Sequence, residues 1–145
     1  MCTELRAEYE KTIHELISMG HIVKADQKKQ GKYYMPHQAV VRETRRTTKV
    51  RVVFDASSKT SNGRPLNDIL HTGPKLQKDI FDIITKWRLW KFVISADVEK
   101  MFRQIRVEEE DQDYQYVLWR DGKSEPVQQY KLTTVTYDTA HLFWQ

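Results

Sequence analysis

The chain has 145 residues, of which 39% are hydrophobic and 30% are charged, and its formal net charge is +4. This length corresponds to one domain or to part of a larger one. The single cysteine excludes a disulfide scaffold and a zinc finger, no apolar run reaches the roughly 20 residues that span a bilayer, and the charged N-terminus is unlike a signal peptide, so we expect an intracellular protein with no membrane partner.

The N-terminal part is predicted to form an amphipathic helix over residues 3–19. Thr3 is a suitable N-cap, Gly20 is a suitable terminating residue, and the apolar residues between them recur at helical spacing. The members of this apolar stripe are Leu5, Tyr9, Ile13, Leu16 and Ile17. We expect the helix to pack on the domain or to link it to an upstream segment, and a short strand to follow at residues 21–23.

The next elements are predicted to be an antiparallel hairpin and a loop. Residues 39–42 and 49–54 are rich in the β-branched residue valine and flank a polar turn at 43–47, which is typical of a hairpin. Pro36 should stand at the edge or start of the first strand because it lacks a donor for the ladder. Asn62 and Gly63 indicate a turn in the polar loop that follows.

The second half is predicted to contain a helix, a buried strand and a second hairpin. The helix covers residues 75–87, and the apolar residues 92–94 begin a largely buried strand that ends at Asp97. A tight turn or short helix follows, and the hairpin has its arms at 114–119 and 127–135 around Asp121-Gly122. Because helices and strands do not alternate regularly, the predicted fold class is α+β with segregated elements.

Charge is distributed unevenly along the chain. From Gln30 to Leu66 there are eight basic and two acidic residues, which leaves +6, whereas from Arg106 to Glu125 there are three basic and seven acidic residues, which leaves −4. Such asymmetry favours a polyanionic partner on one face, and nucleic acid is the obvious class. The alternative is a solvated hairpin with a few unpaired cations.

Five residues are candidates for chemistry. Asp97 at the end of a buried strand would be costly unless it binds a cation such as Mg²⁺ or caps the turn that follows. Lys49 and Arg51 alternate along one strand, so they share a face that suits a triphosphate or a nucleic-acid backbone, or simply solvent. Phe102 is suited to stacking on a sugar or base, as is Tyr137, although both positions also suit a core.

Four stretches together resemble the reverse transcriptase of Pao-type (BEL/Pao) LTR retrotransposons. They are YYMPHQAVVRE, TTKVRVVFDASSKTSNGRPLNDILHTGP, FVISADVEKMFRQIRVEEEDQDYQYVLWR and YKLTTVTYDTA. They stand in the family's order and extend from Tyr33 to Ala140. A single piece such as RVVFDAS is only suggestive, whereas the four together are specific.

The resemblance implies a partial right-hand polymerase, that is, the fingers and the start of the palm of an RNA-directed DNA polymerase. It assigns an N-terminal helix to 1–20, fingers to 21–88, the start of the palm to 89–107, a fingers hairpin to 108–137 and a return to the palm, truncated before the Y-x-D-D hairpin, to 138–145. The complete enzyme would bind template-primer and dNTPs and use Mg²⁺ for two-metal nucleotidyl transfer. The implied partners are RNA or DNA and the rest of the retrotransposon polyprotein, in the cytoplasm or a virus-like particle.

The resemblance also implies roles for individual residues. Asp97 matches the first catalytic carboxylate and metal ligand, and Phe102 matches the aromatic that blocks a ribose 2′-OH. Arg51 matches the fingers arginine that grips the triphosphate of the dNTP, with Lys49 as a weaker companion. The backbone at Val98 would line the dNTP pocket. Three further residues, Arg45, Arg46 and Tyr137, are predicted to contact nucleic acid.

Two departures from the family pattern bear on activity. Asp138 stands where the family has glycine, which places bulk and negative charge beside nucleic acid, and the 145 residues contain no Asp-Asp pair. The isolated chain is therefore expected not to polymerise. The alternatives are a degenerate or co-opted non-catalytic domain that binds nucleic acid through the basic hairpin, or a chain that does not fold stably alone.

Overall fold

The structure is a computed structural model, and it describes residues 3–44, 47–60, 63–71, 78–136 and 139. The protein is a small mixed α+β domain with two α-helices and antiparallel sheets in this part of the chain. The helices and strands are α1 (Thr3–Ser18), β1 (Ile22–Lys24), β2 (His37–Thr44), β3 (Thr47–Phe54), α2 (Ile80–Trp87), β4 (Tyr116–Trp119) and β5 (Gln128–Leu132). This confirms the α+β prediction at the level of fold class.

Helix α1 forms where the apolar stripe predicts it. Tyr9, Ile13 and Leu16 are buried on the face that packs against the sheets. The helix ends at Ser18, and Gly20 just beyond it has a φ of +71°, a left-handed conformation that favours glycine. The amide of His21 donates to the Leu16 carbonyl at 2.9 Å, and this satisfies one of the free carbonyls at the helix end.

Strand β5 is the centre of a three-stranded antiparallel sheet with the order β1-β5-β4. Ile22 pairs with Leu132 on one side, and Trp119 pairs with Gln128 on the other. The second predicted hairpin is therefore confirmed, although both strands are shorter than the predicted arms, because β4 begins at Tyr116 and β5 ends at Leu132. The connection covers residues 120–127, one residue more than predicted.

Strands β2 and β3 form the other hairpin, in register from His37 with Phe54 to Thr44 with Thr47. Pro36 precedes the first strand, as predicted. The segment before it runs beside β4, because the amide of Tyr116 donates to the Tyr33 carbonyl and the amide of Met35 donates to the Tyr116 carbonyl. These bonds attach the hairpin to the three-stranded sheet.

The core lies where α1, the hairpin and the three-stranded sheet meet. Helix α1 adds Tyr9, Ile13 and Leu16 to this core. The most completely buried side chains come from the two sheets and the segments beside them. They are Tyr116, Phe54, Ile22, Met35, Leu66 and Leu132. The N-terminal helix therefore packs on the domain, which was one of the two predicted arrangements.

The second helix is shorter than predicted. It begins at Ile80 because the carboxylate of Asp79 accepts the Phe81 amide at 2.8 Å and so caps the first turn; of the predicted range 75–87, residues 75–77 lie outside the described part of the chain. Its predicted apolar face is exposed. The exposed fraction is 72% for Ile80 and 41% for Trp87.

The prediction of a buried strand at residues 92–94 is wrong. These residues form no strand in the structure. Phe92 and Ile94 are 83% and 92% exposed. The apolar run predicts burial, but a strand needs neighbours to pair with, and the described part of the chain pairs none with this segment.

Neither α-helix in the described ranges has the length and apolar content needed to cross a membrane.

Candidate nucleic-acid interface

The β2–β3 hairpin has one face on the core and one face in solvent. On β3, Phe54 is fully buried and Val50 and Val52 pack against the core, whereas Arg51 between the two valines is exposed. This alternation follows from the two-residue period of a strand. The register pairs Arg51 with Val40. The hairpin thus presents the Arg51 side of β3 to solvent.

Arg51 is not paired with a neighbouring acid. The only candidate in the adjacent sequence, Asp55, instead accepts the amide of Ser57 at 2.8 Å. Across the described ranges, the Arg51 guanidinium has no hydrogen-bond or salt-bridge partner. It is therefore available to an anionic ligand. The same exposure also fits the alternative prediction, a strand face that simply contacts solvent.

The other predicted ligand contacts are Lys49, Arg45 and Arg46 in the hairpin and Tyr137 near the C-terminus. Lys49 lies on β3, and the strand register places it opposite Arg42. Both are two residues from the Val40–Arg51 pair along their strands. Arg45 and Arg46, between Thr44 and Thr47, lie outside the described residues, as does Tyr137.

Asp97 is exposed in a segment without regular secondary structure, not at the end of a buried strand. Its carboxylate has no hydrogen-bond or salt-bridge partner among the described residues. The alternative role as a turn cap is therefore not realised. After the turn at Glu99 and Lys100, the Arg103 amide donates to the Lys100 carbonyl at 2.7 Å.

Val98 and Phe102 lie close to Asp97 along the chain, on either side of that turn. Val98 is 58% exposed, and Phe102 is half-buried in the 3₁₀ helix Met101–Gln104. Lys100 has φ of +51°, a left-handed conformation that turns the chain into this helix. The prediction of a tight turn or short helix after Asp97 is confirmed. No hydrogen bond or ion pair of the described residues joins Asp97 to Arg51.

Arg103 connects the Asp97 segment to the base of the hairpin. Its guanidinium carbon lies 5.6 Å from the centre of the Phe54 ring, and its Nη1 is buried with no hydrogen-bond partner among the described residues. Burial lowers the pKa of Arg103 to about 10. Arg103 is not among the residues predicted from the sequence, although an arginine between the apolar Phe102 and Ile105 is an unusual placement that signals a special environment.

Further positive charge is concentrated near Arg103. Burial lowers the pKa of the His21 imidazole, and the charges of Arg103 and Lys100 lower it further. The ammonium of Lys100 contacts the sulfur of Met19 at 3.7 Å. These contacts place the turn after Asp97 against the end of α1 and the end of β3, in a positive electrostatic environment.

The described residues do not by themselves form a site for two metal ions. No three His, Cys, Asp or Glu side chains in the described ranges are arranged to hold a metal ion. Asp97 supplies one exposed carboxylate, and two-metal chemistry needs further ligands that stand close to it.

A scan of the chain against protein-family models found no match. A search of the curated proteins found none either. The function is therefore inferred from the residues and from their geometry.

Proposed function

We propose that this chain is the fingers and first part of the palm of an RNA-directed DNA polymerase of a Pao-type retrotransposon. In the complete enzyme it would bind template-primer and dNTP. The observation that supports this most directly is the β2–β3 hairpin, whose solvent face carries the exposed Arg51, with no partner among the described residues. An exposed arginine that has no acidic partner there suits a phosphate-bearing ligand.

The contact between Arg103 and Phe54 adds to this proposal. It holds the segment with Asp97 and Phe102 at the base of the same hairpin. In the proposed enzyme, Arg51 grips the triphosphate with help from Lys49, the backbone at Val98 lines the dNTP pocket, and Phe102 excludes a 2′-OH.

Asp97 has a conditional role in the proposal. Its carboxylate is exposed and unpaired within the described residues, which leaves its oxygens free for a hard cation. Bound Mg²⁺ would supply charge stabilisation for nucleotidyl transfer, but holding it would require further carboxylate ligands in addition to Asp97. The isolated chain is therefore proposed to bind and not to polymerise.

A second candidate function is nucleic-acid binding without catalysis, by a degenerate or co-opted domain. The position of Asp97 favours it, because an exposed carboxylate outside regular structure is not held in the fixed geometry that catalysis requires. This alternative uses the hairpin in the same way, and it gives Asp97 no role.

Binding is tested on the purified chain by fluorescence anisotropy with a labelled RNA–DNA primer-template over a range of salt concentrations. We expect replacement of Arg45, Arg46, Lys49 and Arg51 by Ala together to raise Kd at least ~30-fold and to reduce the salt slope by roughly 3, because each phosphate contact contributes about one unit. The matched control replaces four lysines outside the hairpin, namely Lys11, Lys24, Lys28 and Lys59. Equal effects of the two sets would refute hairpin binding and both candidate functions.

Catalysis is tested in a longer polypeptide that also carries a Y-x-D-D motif. The Asp97→Asn variant should lose primer extension in Mg²⁺ while it retains template-primer binding. If Asp97→Asn extends the primer as well as the parent does, Asp97 is not a catalytic residue. If only binding is found, in parent and variant alike, the non-catalytic alternative is favoured.

A further inference from the structure

A groove of about 890 Å³ lies between α1 and the β4–β5 hairpin. It is separate from the Arg51 face of β2–β3 and has no role in the proposed function. Its apolar lining combines the ring of Tyr9 with side chains at both ends of the 120–127 connection. The lining residues that matter here are Tyr9, Leu118, Trp119, Val127, Arg120 and Lys123.

The floor of the groove is held in place by hydrogen bonds. The hydroxyl of Tyr9 is bonded to Nδ1 of His37, and Nε2 of His37 is bonded to the Leu118 carbonyl at 2.9 Å. The indole N–H of Trp119 donates to Asp121 at 2.7 Å. A floor fixed in this way loses little freedom when a ligand binds.

The apolar part of the groove is open to solvent. Leu118 is 48% exposed and Val127 is 52% exposed. These two aliphatic side chains stand at the ends of neighbouring antiparallel strands, beside the half-buried Trp119. Together they offer an apolar surface to which a ligand side chain can dock.

The charge of the groove is positive. Arg6 and Glu10 neutralise one another through a contact of 2.7 Å from Nε to Oε1. Arg120 and Lys123 are exposed, and neither forms an ion pair with any described residue. The Arg120 guanidinium donates to the Lys123 backbone carbonyl at 3.4 Å, a long bond within the 120–127 connection.

We propose that this groove binds an acidic peptide segment that carries an apolar anchor side chain. The anchor contacts Leu118 and Val127, and carboxylates of the peptide pair with Arg120 and Lys123. A nucleic-acid strand fits less well, because base stacking needs a free aromatic face. Here Tyr9 is stacked on the ring of His37, 5.9 Å away.

Trp119 is also engaged with these rings. It packs at a tilt against Tyr9 and His37, with ring centres 5.8 Å and 6.0 Å away. The aromatic groups thus form a packed wall, while the free apolar surface is aliphatic. This geometry selects an apolar side chain over a base.

The test uses the whole chain and a fluorescein-labelled peptide of about twelve residues with alternating Glu and Leu, read by anisotropy. We expect micromolar binding and a loss of at least ~tenfold in affinity in the Arg120→Glu, Lys123→Glu double variant, since two attractive contacts become repulsive. The control variant, Lys28→Glu with Lys59→Glu, has the same net charge and should bind as the parent does.

Three further probes decide between occupants. A peptide of Gln and Leu should bind weakly because it lacks charge, and a peptide of Glu alone should bind weakly because it lacks an anchor. Leu118→Gln, at an exposed position, should weaken binding without loss of the fold as seen by circular dichroism. The proposal is overturned if the peptide does not bind, if the groove variants bind it as the control does, or if a single-stranded oligonucleotide displaces it and shows greater sensitivity to Arg120→Glu and Lys123→Glu.

Discussion

Replacement of Gly31 by Ala should destabilise the fold through a clash with one buried ring. A Cβ at position 31 would lie 2.3 Å from Cγ of Tyr116 and 2.7 Å from each Cδ. Tyr116 is 2% exposed, and the ring of Tyr34 packs edge-on against it, with centres 5.6 Å apart. The Tyr34 hydroxyl also accepts the Gly31 amide at 2.9 Å, so the backbone is tied to the same cluster.

The expected cost follows from these distances. Carbon atoms are most stable at about 3.5–4.0 Å, so the methyl group or the ring would have to move by more than ~1 Å. Overpacking of this kind costs typically 1–3 kcal/mol, against a gain of about 0.4–1 kcal/mol from the stiffer unfolded chain. We expect a net loss of ~2 kcal/mol and a fall in Tm of roughly 4–8 °C.

The assay is urea unfolding followed by far-UV circular dichroism, and Gly122→Ala is the matched control. At position 122 the nearest atoms to a Cβ are Cγ of Glu125 at 3.6 Å and Oγ of Ser124 at 3.9 Å, which is ordinary contact. That variant should stay within about 0.5 kcal/mol of the parent. Equal stability of the Gly31 and Gly122 variants would refute the reasoning, as would failure of Tyr116→Leu to reduce the cost of Gly31→Ala in a double-mutant cycle.

Three other predictions concern pH and exposure. Burial raises the pKa of Tyr9 to about 12. The protonated phenol therefore stabilises the folded state fully below its usual pKa of about 10, and this stabilisation is lost as the pH rises towards 12. Tyr9→Phe should therefore flatten the fall of the urea midpoint at alkaline pH. The ammonium of Lys29, 2.7 Å from Asp113, lowers the pKa of that carboxyl. This stabilisation is complete above pH ~4 and is lost at lower pH, so Asp113→Asn should reduce the acid loss of stability measured by urea titration. Phe92→Ser and Ile94→Ser should each change the free energy of unfolding by less than about 0.5 kcal/mol, and a loss above ~1 kcal/mol in urea titration would show that these side chains are buried.

Elements with strong local patterns could be predicted from the sequence. Helix α1 has an apolar stripe and a glycine stop, and both signals lie within the helix itself. The β2–β3 hairpin follows from β-branched residues on either side of a polar turn. In both cases the residues that decide the structure are close along the chain.

Burial could not be predicted in the same way. The run at residues 92–94 is apolar enough for a core strand, yet a strand is stabilised only by neighbours that pair with it. The structure leaves Phe92 and Ile94 in solvent, and α2 likewise exposes Ile80. Sequence pattern gives the propensity of a segment, whereas its burial depends on partners that the pattern does not identify.

The candidate site shows the same division. The exposure of Arg51 follows from alternation along β3, and this could be predicted. The environment of Arg103 could not, because the Phe54 ring it contacts is 49 positions earlier in the sequence. The predicted environment of Asp97 depended on a buried strand that does not form, so that prediction is wrong, whereas the prediction of a turn after Asp97 is confirmed.

The two proposed surfaces meet at the base of the β2–β3 hairpin, and this decides which variants are informative. His37 and Phe54 are partners in the register, with ring centres 5.9 Å apart. The His37 ring supports the groove floor through Tyr9, while the Phe54 ring carries Arg103. Loss of either ring would disturb both surfaces at once, so a defect in such a variant assigns a function to neither. Exposed positions on opposite sides of this junction, Arg51 for the hairpin and Arg120 for the groove, test each function alone.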